Sequence, residues 1–304
     1  MSDLLKSYHN GVQWIMLIDS WKEWPILWIS ACTHWWETVW LEIVDYVLNE
    51  IDISKNLIKW KIYLILSNIK AYEKSLELKK SGDPDYIINA RYVEENMNRC
   101  CSVESLNNPI NYERQRANEL TEVLKKLDYQ LDIHSTMNPS WSMFIHTEKS
   151  ENKFKNIFNT DEIYIKLPDT VIGKPLLDVT ERNGGIGMAI ETWNQTNKDW
   201  YKVWVDNLLR LLLELEMIDR STIDSSLLLD NKANEKFDII GSIMIENDLF
   251  KPAKDFNNLD FVKQWEVVAY DGDKEILADS DCYIIMPSNK HSGEEYCFLA
   301  KKII

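Results

Sequence analysis

Long apolar runs and an excess of basic residues are both missing from this sequence. No stretch reaches 18 apolar residues, and Met1–Asn10 is polar with mixed charge. A transmembrane helix needs about 20 apolar residues and a signal peptide needs an apolar core, so neither is expected and the chain is predicted to be cytoplasmic. Lys and Arg number 34 against 49 Asp and Glu, a net charge of -15. Because this charge repels phosphate backbones and anionic lipid, neither nucleic acid nor a membrane is expected as a partner.

A disulfide framework is also missing. The five cysteines are an odd number without regular spacing, in a chain that lacks a signal-peptide pattern. This favours reduced thiols in the cytoplasm. The adjacent pair Cys100 and Cys101 could belong to a metal site, but no second pair lies at zinc-finger spacing. The metal interpretation of this pair is therefore not favoured.

Glycine is scarce, and tryptophan is unusually common. The chain has 9 glycines and 13 tryptophans, whereas average usage would give about 21 glycines at this length. Tryptophans in predicted turns are Trp21, Trp24, Trp35, Trp36 and Trp141. Turns favour residues that tolerate positive φ, which tryptophan does poorly. Two interpretations stay open: a tryptophan-rich protein whose indoles fill the core or bind a ligand, and a gene whose UGA codons are decoded as glycine in the cell.

The order of apolar patterns predicts an α/β fold. Apolar residues make up 45% and charged residues 27% of the chain, as in ordinary globular proteins. Strand-like runs such as Lys61–Leu66 alternate with helix-like patterns such as Tyr112–Leu127, whereas residues 72–111 look polar and loop-rich. After residue 235 only short strand-like runs remain. We expect a mostly parallel or mixed sheet flanked by helices over residues 1–235, and a small all-β domain over residues 236–304.

Two histidines and one glutamate form a candidate metal site. His34 and Glu37 lie three residues apart after a strand-like run, so both side chains can reach one ion. His134 follows Leu131–Ile133 at the carboxyl end of another strand, where open α/β sheets place their ligands. Two His and one Glu, with a fourth position for water, are a known catalytic zinc set. Each motif alone is weak, because a histidine in a loop is more often an ordinary surface residue.

Further polar residues could act on a substrate. Arg91 and Arg99 frame a polar segment that contains Asn98. A guanidinium pair can hold a carboxylate and polarise a carbonyl, although such a run is more often a solvated loop. Glu191 ends an apolar strand-like run, and a glutamate there can act as a general base on water, although a cap or a surface carboxylate is commoner.

Taken together, these motifs resemble the succinylglutamate desuccinylase/aspartoacylase family, which is related to the zinc carboxypeptidases. The matching segments are His34-Trp35-Trp36-Glu37, Arg91-Tyr92 with Asn98-Arg99, Asp132-Ile133-His134-Ser135-Thr136, and Glu191-Thr192-Trp193. The family has glycine at the second position of the first motif, so glycine at position 35 would make the match close. Segments 263–266 and 278–287 are similar to phrases of the family's C-terminal β domain, so the resemblance covers nearly the whole chain.

The resemblance implies a hydrolase with one zinc ion (Zn2+) per chain, which cleaves the amide bond of a small anionic N-acyl amino acid. The roles it implies are zinc ligation by His34, Glu37 and His134, general-base catalysis by Glu191, polarisation of the scissile carbonyl by Arg91, and binding of a substrate carboxylate by Asn98 and Arg99. The sequence departs from the family at Asn96, where an acidic residue is usual. Alternatives are a zinc carboxypeptidase that acts on peptides and a metal-free binding protein of the same fold. A homo-oligomer is possible.

Overall fold

The computed structural model describes residues 8–9, 12–22, 25–31, 33–34, 39–135, 142–154, 156–165, 174–192, 200–231, 233–288 and 292–303. Strands and helices alternate along these residues, which confirms the predicted α/β class. The described strands are β1 (Tyr8–His9), β2 (Val12–Gln13), β3 (Ile15–Asp19), β4 (Ile26–Ala31), β5 (Lys61–Leu66), β6 (Tyr129–Ser135), β7 (Met143–His146), β8 (Glu162–Ile165), β9 (Ile186–Thr192), β10 (Glu235–Met244), β11 (Phe250–Pro252), β12 (Phe261–Val262), β13 (Val267–Asp271), β14 (Lys274–Leu277), β15 (Cys282–Ile285) and β16 (Glu295–Ile303). The described α-helices are α1 (Val39–Asp45), α2 (Ile53–Asn56), α3 (Ile69–Ser81), α4 (Tyr86–Asn89), α5 (Val103–Asn107), α6 (Tyr112–Leu124), α7 (Glu148–Phe154), α8 (Leu176–Arg182) and α9 (Trp200–Glu214).

One mixed sheet organises the molecule. Its strand order is β12-β15-β16-β10-β8-β7-β9-β6-β4-β5-β3. The neighbouring strands β9, β6, β4 and β5 run parallel, whereas β3 and β7 run antiparallel to β5 and β9. The predicted mixed sheet is therefore confirmed.

Two apolar layers cover the two faces of this sheet. Along β4, Leu27 and Ile29 join one buried cluster, whereas Trp28 between them joins another, as the two-residue period of a strand requires. Helices α1 and α9 contribute to the first cluster, and α6 and α8 contribute to the second. Burial on both faces explains why β4 and β5 are nearly continuous apolar runs.

The strands after residue 235 extend the main sheet. β10 pairs in parallel with β8 and antiparallel with β16, so the sheet is continuous across the expected domain boundary. β11, β13 and β14 form a separate antiparallel sheet. A buried cluster joins residues of this small sheet and of the main sheet, including Val268 on β13, Val262 on β12 and Ile284 on β15. The β-rich C-terminal region is confirmed, and the division into residues 1–235 and 236–304 stays a prediction.

Residues 72–111 differ from the expected loop-rich segment, because they contain most of α3 and all of α4 and α5. Helix α3 has a side-chain cap at its start, where Asn68 accepts a hydrogen bond from the backbone N–H of Ala71. It ends at Ser81 and is capped by Gly82, which has φ 78°. Its buried side chains are few, so the apolar pattern is weak and the caps are the stronger signal. Within the described ranges, no helix is both long and apolar enough to cross a membrane.

Candidate active site

Three candidate residues lie at the carboxyl ends of neighbouring parallel strands. β4 pairs with β6, and β6 pairs with β9. His34 follows the end of β4, while His134 and Glu191 lie near the ends of β6 and β9 and are partners in register. The carboxyl ends of parallel strands meet at one edge of a sheet, where α/β proteins commonly bind ligands. The fold therefore collects these residues at one edge.

The two histidines face each other. Their ring centroids are 5.8 Å apart, with 50° between the ring planes, and both residues are buried. A Zn–N bond of about 2.0–2.1 Å puts a ring centroid roughly 3 Å from the ion, so two rings on one ion are at most about 6 Å apart. The pair is close enough to bind a single zinc ion.

An oxygen atom lies beside Nε2 of each histidine. His134 Nε2 lies 2.9 Å from Asp132 Oδ2, and His34 Nε2 lies 3.2 Å from Asn96 Oδ1. The Asp132 carboxylate is held in turn by Ser30 Oγ, which donates to Oδ1 at 2.8 Å. We assign the ring proton to Nε2 from these contacts, which leaves the lone pair on Nδ1. Metal-binding histidines commonly donate their other ring nitrogen to an oxygen in this way, so both rings suit a metal bound through Nδ1.

The third expected ligand, Glu37, lies outside the described residues. Among the residues that the structure describes, no three His, Cys, Asp or Glu side chains form a group that could hold a metal. Of the three expected zinc ligands, the structure describes His34 and His134. The distance between their rings and the oxygen contacts of their Nε2 atoms fit a zinc ion.

The adjacent thiols Cys100 and Cys101 lie in the protein interior. Both are buried, and burial raises the pKa of each thiol. Both side chains belong to the apolar cluster between the sheet and α6.

The polar segment 91–99 contacts both histidines. Besides its contact with His34, Asn96 accepts a hydrogen bond from the backbone N–H of Asn98 and starts a single 3-10 turn, Met97–Arg99. The side-chain nitrogen of Asn98 lies 3.3 Å from Nε2 of His134; because the ring proton is assigned to that nitrogen, this is a contact and not a hydrogen bond. Two asparagines spaced by one residue therefore reach one histidine each.

Both arginines of the segment are paired with glutamates that are consecutive in the chain. Arg91 Nε donates to Glu294 Oε1 at 3.1 Å. Arg99 donates to the two carboxylate oxygens of Glu295 at 3.0 and 2.5 Å. With a bond to the carbonyl of Asn98, the described contacts of Arg99 use three of its five N–H groups. The guanidinium thus keeps donors for a further anion.

Glu113 holds the start of the same segment and was missed by the sequence analysis. It is fully buried on α6, and its carboxylate accepts hydrogen bonds from the backbone N–H groups of Val93, Glu94 and Glu95 at 2.6 to 3.3 Å. The available signal was an acidic residue on the apolar face of an amphipathic helix. Such a residue needs buried donors.

Comparison with protein families places the motifs in context. Residues 23–159 match the model described as "Succinylglutamate desuccinylase/Aspartoacylase catalytic domain". This stretch contains His34, the segment 91–99 and His134. Residues 23–159 are therefore similar to the catalytic domain of the succinylglutamate desuccinylase/aspartoacylase family. No curated protein matches the chain.

Solved structures of this family share the fold across almost the whole chain. A succinylglutamate desuccinylase from Vibrio parahaemolyticus has a TM-score of 0.67 and 17% identity, covering 95% of this chain and 86% of that one. An aspartoacylase family protein from Mesorhizobium loti has a TM-score of 0.59 and 15% identity, with coverage of 95% and 89%. Murine aminoacylase 3 has a TM-score of 0.60 and 15% identity, with coverage of 93% and 97%. At these identities the likeness establishes the fold.

The desuccinylase/aspartoacylase resemblance inferred from the motifs is thereby confirmed, while the role of each residue stays a prediction. The structure brings His34, His134 and Asn98 into one contact network. It pairs Glu191 in register with His134. Arg91 and Arg99 lie on the segment that contacts the histidines. The partners Glu294 and Glu295 carry no motif of their own, and only the tertiary contacts reveal them.

Proposed function

We propose that this protein is a zinc-dependent hydrolase that cleaves the amide bond of a small N-acyl amino acid in the cytoplasm. The observation that carries the proposal is the buried His34–His134 pair, whose ring centroids lie 5.8 Å apart and in which each Nε2 faces an oxygen. The family match and its neighbours, titled desuccinylase, aspartoacylase and aminoacylase, support a deacylase.

The proposed zinc ligands are His34, His134 and, by family resemblance, Glu37. When bound, zinc supplies a Lewis acid for the scissile carbonyl and lowers the pKa of water to about 7. Glu191, which is 8% exposed, takes a proton from the attacking water and returns it to the leaving nitrogen. Because the side chain is buried, bulk water has little access to this carboxylate.

The anionic end of the substrate is assigned to the segment 91–99. Arg91 polarises the scissile carbonyl, and Asn98 and Arg99 hold a carboxylate through charge-assisted hydrogen bonds. These guanidinium groups supply local positive charge on a chain of net charge -15. Because Glu294, just before β16, and Glu295, its first residue, contact this segment directly, a small substrate is favoured over a long peptide.

Two variants test the proposal. His134→Ala is expected to lose stoichiometric zinc, because it removes one of two neighbouring imidazoles. Glu191→Gln is expected to keep zinc and to lower kcat by about 10²–10⁴-fold. The measurements are metal content by mass spectrometry and hydrolysis of a panel of N-acyl amino acids. Glu275→Gln, an exposed glutamate on β14, is the control and should behave as wild type.

The opposite results separate the alternatives. Stoichiometric zinc in His134→Ala would contradict the ligand assignment, and normal turnover in Glu191→Gln would remove the general base. A wild-type protein that releases C-terminal residues from peptides would favour the carboxypeptidase. Binding of N-acyl amino acids without zinc or turnover would favour the binding protein.

A further inference from the structure

Three side chains of the segment 91–99 converge on one carboxylate of the C-terminal region. Glu294 Oε1 accepts hydrogen bonds from Arg91 Nε at 3.1 Å and from Asn96 Nδ2 at 2.8 Å. Burial, the nearby charge of Glu294 and a hydrogen bond to it raise the pKa of Tyr92 to about 12, so this phenol is neutral. Glu294 is itself buried, and a buried carboxylate with several donors is tightly fixed in position.

The contact with Glu294 sets the orientation of the Asn96 amide. An amide has one oxygen and one nitrogen at its end. With Nδ2 donating to Glu294, Oδ1 of Asn96 is directed to Nε2 of His34. Glu294 therefore acts on His34 through one intervening side chain. The contact holds the ring of His34 in its orientation beside His134.

The next residue acts on the other arginine. Glu295 is 1% exposed and receives two hydrogen bonds from Arg99. A bidentate pair of this kind fixes the plane of the guanidinium. Because Arg99 also donates to the carbonyl of Asn98, Glu295 steadies the residues that face His134 as well.

We propose that Glu294 and Glu295 are positioning residues with separate tasks: Glu294 orients the metal ligand His34 through Asn96, and Glu295 orients the substrate-binding Arg99. This proposal rests on the proposed zinc hydrolase. The C-terminal strands thus complete the active site.

Isosteric variants separate the two tasks. Glu294→Gln is expected to weaken zinc binding by about 10–100-fold, the usual cost of losing a residue that orients a metal ligand, as measured by competition with a chromophoric chelator. Glu295→Gln is expected to keep the zinc affinity and to raise KM by about tenfold with little change in kcat, since it loosens uniform binding of the substrate anion. Glu275→Gln is the matched control.

A double-mutant cycle tests the route through Asn96. Loss of zinc affinity in Glu294→Gln and Asn96→Ala should be strongly non-additive, because both variants break the same relay. The proposal is overturned if, with far-UV circular dichroism unchanged, both glutamate variants match Glu275→Gln, or if the cycle is additive. A wild-type chain that binds no zinc would instead overturn the proposed function itself, so the two failures are distinguishable.

A second and independent observation concerns the tryptophans. Eight of the 13 tryptophans have a described backbone, and four of those have positive φ: Trp14 (60°), Trp21 (60°), Trp60 (94°) and Trp265 (68°). Four glycines have positive φ as well, whereas only four described residues of all other types do. Positive φ is uncommon for residues that carry a Cβ atom, and bulky ones are true outliers there. The tryptophans are therefore distributed like glycines.

Unpartnered donors and solvent exposure at several indoles agree with this distribution, whereas Trp14 and Trp60 also pack against Tyr72 and Tyr129. Nε1 of Trp28 and of Trp60 is buried without a hydrogen-bond partner in the described residues, although buried tryptophans usually satisfy this donor. Trp21 and Trp265 are 91% and 65% exposed, so no packing against the protein offsets their backbone conformation. Trp204, which is buried within α9, lies where tryptophan is ordinary.

We infer that the tryptophans at positive φ are glycines in the native protein, because the source decodes UGA as glycine. Trp24, Trp35, Trp36, Trp141 and Trp193 lie outside the described residues, and the same code would apply to them. At positions 35 and 36 it would remove two indoles beside the metal ligand His34.

The gene and the native protein test this inference. Codons 14, 21, 60 and 265 should all be UGA, and peptides of the protein isolated from its source should carry glycine mass at these positions. Position 204 is the comparison site, where a UGG codon would keep indole mass. UGG codons at the four positions, or indole mass in the native peptides, would overturn the inference.

Discussion

Single buried charges determine much of the local geometry in this protein. The carboxylate of Glu113 accepts hydrogen bonds from three backbone N–H groups of residues 93–95. The carboxylate of Glu294 accepts hydrogen bonds from Arg91 and Asn96. A charge taken out of water is costly unless donors or acceptors surround it. Each such residue therefore fixes its neighbours more firmly than an apolar residue would.

Arg116 offers a test of this principle away from the active site. It is 2% exposed and donates to the backbone carbonyls of Gln13, Leu66 and Ser67 at 2.9 to 3.0 Å. Burial lowers its pKa, yet arginine stays charged in proteins. Arg116→Leu should lower the free energy of unfolding by about 3–5 kcal/mol, because three buried carbonyls lose their donor. Urea denaturation measures this loss.

The exposed Arg220 is the matched control. Arg220→Leu should change the free energy of unfolding by less than about 0.5 kcal/mol. An equally small loss in Arg116→Leu would show that the three hydrogen bonds contribute little to stability.

At the scale of elements, α6 and the segment 91–99 form one support for the site. One face of α6 packs Ala117, Leu120 and Leu124 against the sheet. Its first turns also carry Glu113, which holds the segment, and Arg116, which holds the ends of β2 and β5. The helix thus ties the loop that contacts the histidines to β2 and to β5, which pairs with β4. Rotation of α6 would move both.

At the scale of the whole molecule, one continuous sheet joins the C-terminal strands to the strands near the candidate site. β10 lies between β8 and β16 in one continuous sheet. Glu294 and Glu295 of this region form ion pairs with Arg91 and Arg99. We propose that the regions 1–235 and 236–304 differ in composition and chemistry but fold together.

Removal of the C-terminal region tests this proposal. A chain that ends at residue 234 exposes β8 as an unpaired edge and leaves Arg91 and Arg99 without their carboxylates. We expect it to aggregate or to unfold without cooperativity, since exposed sheet edges promote association. Thermal melts followed by circular dichroism measure this, and the full chain should unfold in one transition. A cooperative melt of the truncated chain would instead support an independent catalytic domain.

The sequence by itself determined the fold class and the main candidate residues. Nearly continuous apolar runs marked β4 and β5, because strands buried on both faces contain few polar residues. His34 stood out because it closely follows β4, and His134 because it lies near the carboxyl end of a strand-like segment. The short helices of residues 72–111 were missed, since caps rather than apolar periodicity define them.

Only the tertiary structure decided which partners complete the site. Glu294 lies 198 residues from Asn96 in the chain, and Glu295 lies 196 residues from Arg99. A contact over such a separation has no local pattern, because it depends on how the sheet places β16 beside the segment 91–99. Glu113 was missed as well, because its carboxylate accepts hydrogen bonds from backbone N–H groups, which carry no sequence signal. The sequence alone indicated the two histidines as candidate metal ligands, whereas tertiary packing determined which residues lie beside them.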